Sequence, residues 1–71
     1  MEIKDRIRKH RIKQNMNQSQ LAAAMGYKSD SIVSMWESGE RTPPLNKFVL
    51  LSEVLGVSYD ELLGKNGTET A

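Results

Sequence analysis

Apolar side chains recur at helical spacing in five short segments of this chain, which are separated by glycine, proline and capping residues. The segments are residues 2–14, a stretch that starts after Asn17, residues 30–38, residues 45–55 and residues 59–63. Apolar positions three and four residues apart lie on one side of a helix, as they do in amphipathic helices that share a core. The pattern therefore predicts an all-α fold of five helices that share one closely packed core.

The second and third segments are predicted to form a pair of short helices joined by a tight turn. Asn17 is a favourable N-cap residue, and Gln20 three positions later completes a variant of the capping box. Gly26 suits the left-handed conformation that ends a helix and lets the chain turn. Ser29 is expected to cap the next helix, with Asp30 in its first turn near the positive end of the helix dipole.

The helix predicted for residues 30–38 has an apolar arc and an opposite arc of mostly short side chains. Ile32, Val33 and Trp36 share the apolar arc, while the other arc holds Ser31, Ser34, Met35 and Ser38. A helix with short outer side chains can enter the major groove of DNA, which is about 12 Å wide. The same serines would equally suit a face that only meets solvent, so spacing alone leaves both interpretations open.

Charge is distributed unevenly along the chain, although the net charge is only +1. Residues 1–41 hold eight Lys and Arg against five acidic residues, whereas residues 42–71 hold two against four. The half that carries the helix pair is thus the cationic half. This asymmetry permits phosphate binding without requiring it, because a basic helix is often simply a solvated face.

Composition argues against several other classes of protein. The chain has no cysteine, and its single histidine, His10, has no metal-ligand partners at suitable spacing and is expected at the surface or its boundary. There is no Ser/His/acid set and no glycine-rich phosphate loop, so we expect neither an enzyme nor a metal or cofactor. The charged start is unlike a signal peptide and the apolar runs are too short for a bilayer, which predicts a cytoplasmic protein without a membrane partner.

Arg11 stands where the first helix should present an aliphatic side chain. It continues the stripe of Ile3 and Ile7, and an unpaired buried charge would be costly. Glu37, at the edge of the apolar arc of the third helix, is the candidate partner. The alternative is that Arg11 extends along the surface and keeps its charged group in water.

Leu50 and Val54 lie one turn apart on the fourth helix, away from its predicted core side. Such a stripe indicates either a second packing contact or a subunit interface. After the last helix, residues 64–71 are expected to form a polar tail or the start of a linker. The predicted core side of the fourth helix consists of Leu45, Phe48, Leu51, Ser52 and Leu55, and the last helix is expected to close the core with Leu62 and Leu63.

Taken together, these segments resemble the helix-turn-helix domain of the Cro/CI-type (XRE) repressors of phages and bacteria. The match covers about residues 3–63, with its parts in the expected order and spacing. One departure is that the turn between Gly26 and Ser29 looks a residue longer than in the shortest members. The resemblance rests on residues 17–22, Gly26, residues 33–43 and residues 55–63.

The resemblance implies a lambda-repressor-like bundle in which residues 1–63 form the DNA-binding domain and residues 30–38 lie in the major groove. It supports a structural ion pair between Arg11 and Glu37. It assigns base contacts to the first two positions of the third helix and to a position one turn later, namely Asp30, Ser31 and Met35 with Ser34 adjacent, although Asp30 would alternatively serve only the helix dipole. It assigns phosphate contacts to Gln18, Lys28, Ser38, Arg41 and Thr42.

The function that this resemblance implies is sequence-specific regulation of transcription on double-stranded DNA. A single domain of this size reads few base pairs, so we expect a homodimeric repressor on a palindromic operator, with Leu50 and Val54 or the last helix at the dimer contact. If residues 64–71 are a linker, a longer parent chain would carry a C-terminal domain. The alternative is an antitoxin-like or other protein-interaction module, because a fold does not fix a function.

Overall fold

The computed structural model describes residues 2–64, which form five helices and, within that range, no strand. The prediction of an all-α bundle of five helices is therefore confirmed. Residues 65–71, most of the predicted tail, lie outside the described part. Within residues 2–64 no helix has the length and apolar character needed to cross a bilayer. The helices are α1 (Ile3–Lys13), α2 (Gln18–Ala24), α3 (Ser31–Ser38), α4 (Leu45–Leu55) and α5 (Tyr59–Leu63).

Side-chain caps fix the starts of two helices. Asn17 Oδ1 accepts a hydrogen bond from the backbone N–H of Gln20 at 2.7 Å, and Gln20 Oε1 accepts one from the N–H of Asn17 at 2.8 Å. This is the capping box expected at the start of α2. At α5, Ser58 Oγ accepts from the N–H of Glu61 at 3.0 Å. Each bond pairs an N–H group that lacks a partner inside its helix.

The start of α3 lies one residue later than predicted. Ser29, which was predicted to be the N-cap, lies one residue before it, and its Oγ accepts from the N–H of Ser31 at 3.1 Å. The prediction that Asp30 belongs to the first turn was wrong: Asp30 is the N-cap residue, and its carboxylate accepts a hydrogen bond from Ser19 Oγ at 3.3 Å. The longer turn after Gly26 absorbs the extra residue, and the bond to Ser19 ties that turn to α2.

The core lies where the five helices meet, and aromatic contacts connect distant parts of the chain. Trp36 of α3 packs edge-on against Tyr27, with ring centroids 6.0 Å apart, and Phe48 of α4 packs against Tyr59 of α5 at 5.6 Å. Pairs of this geometry add to the stabilisation from burial alone. The largest fully buried side chains are Trp36, Ile7, Leu21, Leu51, Leu55, Leu62 and Val33.

His10 is a core residue, which corrects the expectation that it lies at the surface. Its exposed fraction is 3%, and its Nε2 lies 3.6 Å from Glu61 Oε2 on α5. The reason is its position three residues after Ile7, on the same buried side of α1. His10 thereby joins the first helix to the last.

The buried side of α4 also differs from the prediction at its edges. Leu45, expected in the core, is 67% exposed, and Val49 one turn later is 44% exposed. Leu50 and Val54 are half-buried and pack against the core cluster, which is the second packing contact that the sequence left open as one alternative. The packed arc of α4 is therefore turned from Leu45 toward Leu50 and Val54.

Candidate nucleic-acid interface

The outer arc of α3 is accessible in this structure. Ser31 and Ser34 are exposed and Met35 is half-buried, while Val33 and Trp36 on the opposite side are buried. The helix ends at Gly39, whose φ of +85° is unfavourable for residues with a Cβ atom. The turn that follows brings the N–H of Arg41 to 3.2 Å from the carbonyl oxygen of Met35. α3 therefore presents a short, slim surface with a defined end.

An ion pair attaches α3 to α1. Arg11 Nε donates to Glu37 Oε2 at 2.6 Å and Arg11 Nη2 donates to Glu37 Oε1 at 3.1 Å. The two side chains are 11% and 5% exposed, so the pair is largely removed from solvent. Arg11 Nη1 also donates to the carbonyl oxygen of Met16 at 2.8 Å. The structure thus contains the predicted partner contact, and Arg11 does not extend freely into water.

Gln18, the first residue of α2, joins the same network. Its Nε2 donates to Glu37 Oε1 at 3.1 Å, so one carboxylate receives hydrogen bonds from both α1 and α2. Glu37 thereby connects the start of α2 to α3 through this hydrogen bond. Since Glu37 accepts three hydrogen bonds from two side chains, its orientation is strongly restricted.

The other residues assigned to phosphate lie at the two ends of α3. Lys28 is exposed in the turn before the helix, and Arg41 and Thr42 are exposed after it. Ser38 is exposed, but its hydroxyl donates to the carbonyl oxygen of Met35 at 3.1 Å and accepts from the N–H of Glu40 at 3.2 Å. The hydroxyl hydrogen of Ser38 is therefore already used in ending the helix.

A cleft of about 310 Å³ lies beside the ion pair and contains one residue that the sequence did not single out, Arg8. Arg8 precedes Arg11 by three residues, so the two lie on neighbouring positions of α1. That spacing was visible in the sequence, but it did not distinguish Arg8 from the other basic residues of α1. The cleft is lined by Arg8, Arg11, Gln18, Ser34, Glu37 and Ser38.

Residues 2–64 contain no group of three or more His, Cys, Asp or Glu side chains placed to hold an ion. The polar residues gathered near α3 are hydroxyl, amide, carboxylate and guanidinium groups. These are the groups that hydrogen-bond to base edges and phosphates.

The fold and this helix pair define a helix-turn-helix protein. The chain belongs to the family described as "Helix-turn-helix", whose model matches residues 7–62. The resemblance to Cro/CI-type (XRE) domains is thereby confirmed. In three dimensions the chain is similar to the P22 c2 repressor protein crystallised with a synthetic operator, with a TM-score of 0.83, 32% identity, and coverage of 93% of this chain and 98% of that one.

Two transcriptional regulators are similar in sequence. One is the cryptic phage CTXphi transcriptional repressor RstR of Vibrio cholerae, 35% identical over 69 residues, which are 97% of this chain and 61% of that protein. The other is the HTH-type transcriptional activator BcrR of Enterococcus faecalis, 35% identical over 63 residues, which are 89% of this chain and 30% of that protein. This chain therefore spans less than two thirds of the length of either relative.

Proposed function

We propose that this chain is a sequence-specific double-stranded DNA-binding regulator of transcription that acts as a repressor. The observation that carries the proposal is the accessible outer arc of α3, held in place by the Arg11–Glu37 pair. The similarity to the P22 c2 repressor, which was crystallised with operator DNA, supports the same interpretation. RstR is also a repressor, whereas BcrR is an activator, so the direction of regulation needs its own experiment.

Base contacts are proposed for the first turns of α3. Asp30 accepts a hydrogen bond from Ser19 on one carboxylate oxygen, which leaves the other oxygen for the N4 amino group of a cytosine. Ser31 is exposed, and its hydroxyl can bond to several base edges. Met35, one turn after Ser31, offers an apolar surface to a thymine methyl group. Ser34 is exposed on the same helix and is the remaining residue to which the resemblance assigns a base contact.

Phosphate contacts are proposed for residues that surround the outer arc of α3. Lys28 and Arg41 supply positive charge at the two ends of α3, and Thr42 adds a hydroxyl. Gln18 and Ser38 are the remaining members of the set, although Gln18 already makes one side-chain hydrogen bond within the protein and Ser38 makes two. Such contacts position a protein on the duplex and carry no sequence information directly.

We further propose that two copies bind a palindromic operator with half-sites about one helical turn apart. Leu50 and Val54 pack against the core, so the exposed pair Leu45 and Val49 is the better candidate for the contact between copies. α4 begins directly after the loop that carries Arg41 and Thr42. Its first turn also lies near the turn before α3, since Lys47 Nζ is 5.1 Å from the centroid of the Tyr27 ring.

Selection of bound duplexes from a random DNA pool tests the proposal. We expect a palindromic consensus, and we expect Ser31→Ala and Met35→Ala each to relax the preference at one or two positions, by about 1–3 kcal/mol of discrimination. Glu53→Gln, an exposed change on α4, serves as the control and should leave the consensus unchanged. Transcription in vitro from a promoter that contains the consensus then distinguishes repression from activation.

The rival interpretation, a protein-interaction module on the same fold, gives a different result. A protein of that kind would select no consensus, and its affinity for duplex DNA would be weak. A DNA-binding regulator should lose affinity steeply as salt rises, because binding releases counterions from the phosphates. Absence of both the consensus and the salt dependence would overturn the proposed function.

A further inference from the structure

The cleft beside the ion pair brings together groups from three helices. Arg8 comes from α1, Gln18 from α2 and Ser34 from α3, and Glu37 lies between them. Arg8 is exposed, and the structure gives it no hydrogen bond or ion pair with any residue of the described range. A cation without an acidic partner, next to a concave polar surface, is available to an external anion.

The carboxylate in the cleft would repel an anion if its charge were not balanced. Arg11 balances it through two hydrogen bonds, at 2.6 and 3.1 Å. The Arg11–Glu37 pair is thus neutral as a unit, and Arg8 gives the cleft its net positive charge.

Two uncharged donors complete the cleft. A glutamine side-chain amide has two N–H groups, and Gln18 uses one of them on Glu37 Oε1, so the second is left over. Ser34 is exposed and makes no side-chain hydrogen bond within the described residues. Because Glu37 accepts from both Arg11 and Gln18, it fixes the amide of Gln18 beside Ser34 and Arg8.

The outer arc of α3 therefore has two edges. Ser31 and Met35 are four residues apart and form one edge, whereas Ser34 and Ser38 form the other and line the cleft. A side chain on the cleft side of α3 faces α1 and α2 and points away from Ser31 and Met35. Ser34 is accordingly placed with the phosphate-binding groups and apart from Ser31 and Met35.

We propose that this cleft binds one phosphate of the DNA backbone, with Arg8 as its charged ligand, Gln18 and Ser34 as neutral donors, and Glu37 as the positioning residue for Gln18. The inference rests on the proposed function and adds Arg8 to the binding surface. It also assigns Ser34 to the phosphate backbone and removes it from base recognition.

Salt titrations of DNA binding test the role of Arg8. Arg8→Gln should lower the slope of log affinity against log salt by about 0.9, on the selected operator and on unrelated duplexes alike. Lys9→Gln removes one charge from the adjacent exposed position of α1, which does not line the cleft, and should leave the slope unchanged. Thermal unfolding of both variants checks that each is folded.

Ser34→Ala tests the neutral part of the cleft. We expect a loss of affinity of about fivefold, as for one hydrogen bond, with the salt slope and the selected consensus both unchanged. Ser31→Ala is the matched comparison, because the same hydroxyl is removed from the other edge of α3 and the consensus should change.

The outcomes separate this inference from the proposed function. Wild-type binding with normal salt dependence, but an unchanged slope for Arg8→Gln or an equal fall for Lys9→Gln, overturns the phosphate cleft alone. A changed consensus for Ser34→Ala likewise overturns the assignment of Ser34. Failure of the wild-type chain to bind duplex DNA overturns both proposals.

Discussion

Arg11 is a charged side chain within an otherwise apolar stripe, and its contacts account for that position. Its Nε and Nη2 donate to Glu37, and its Nη1 donates to the carbonyl oxygen of Met16. Removing a guanidinium and a carboxylate from water costs several kcal/mol per ion, which mutual attraction and further hydrogen bonds must offset. The position therefore tolerates arginine only because Glu37 and the turn after α1 are both in place.

Replacing Glu37 by alanine should destabilise the protein by about 3–5 kcal/mol, because it leaves Arg11 buried without its counter-charge. The double variant Arg11→Met, Glu37→Leu should be much less destabilised than the sum of the single changes. Urea denaturation of the wild type, Arg11→Met, Glu37→Leu and the double variant measures this coupling. Additive effects would contradict the view that the pair acts as a unit.

His10 should make stability fall as the solution becomes acidic. Burial lowers the pKa of His10 below its ordinary value of 6.5; Glu61 raises it, while Lys9, Lys13 and Arg6 lower it. As pH falls below about 6.5, the unfolded chain binds a proton that the folded chain does not, and stability decreases until the folded pKa is passed. Above pH 7 the group has no such effect.

The matched variant for this prediction is His10→Gln, which keeps a donor near Glu61 and cannot titrate in this range. Urea denaturation between pH 7 and pH 5 should show a smaller loss of stability for the variant than for the wild type. His10 is the single histidine of the chain, so the difference belongs to this residue. Equal losses would show that carboxylates alone cause the acid sensitivity.

At the scale of the helices, local signals in the sequence were sufficient to predict that each helix exists and roughly where it begins and ends. Asn17 with Gln20, Ser58 and Gly39 each mark a helix end through bonds or dihedral angles that involve only near neighbours. Such features act locally and can therefore be read from a short window. The start of α3 was harder, since Asp30 is held by Ser19, eleven residues earlier.

Burial could be predicted less well, because it depends on which helix covers which. His10 shares the stripe of Ile7, so helical spacing alone could have placed it in the core. Leu45 belongs to the predicted core arc of α4, yet it is 67% exposed, whereas Phe48 in the same turn is buried. For Leu50 and Val54 the sequence left a packing contact and a subunit interface both open, because the extent of the packed arc cannot be inferred from one helix.

The candidate site depends on the whole molecule. The family resemblance assigned residues of α3 and its flanks, but Arg8 emerged only when α1, α2 and α3 were seen to enclose one cleft. The direction of each serine on α3 likewise depends on its neighbours: Ser34 faces the cleft, while Ser31 lies on the other edge. Sequence spacing places residues on a helix, and packing decides what each of them can contact.

The exposed apolar residues of the molecule also predict how two copies assemble on DNA. Leu45→Ser with Val49→Ser removes the exposed apolar pair of α4 without changing charge. If this pair forms the contact between copies, the double variant should bind a palindromic operator without cooperativity, while its affinity for a single half-site stays unchanged. Neutral substitutions keep the phosphate contacts, and thus the salt slope, as they are.

Ile12→Ser provides the control, because Ile12 is also an exposed apolar residue, at 53%, but lies on α1. Titration of duplexes with one and two half-sites, together with sedimentation of each complex, separates half-site affinity from cooperativity. Retained cooperativity in the α4 variant would exclude Leu45 and Val49 from the contact. An equal loss in Ile12→Ser would mean that loss of exposed apolar surface, irrespective of position, reduces assembly.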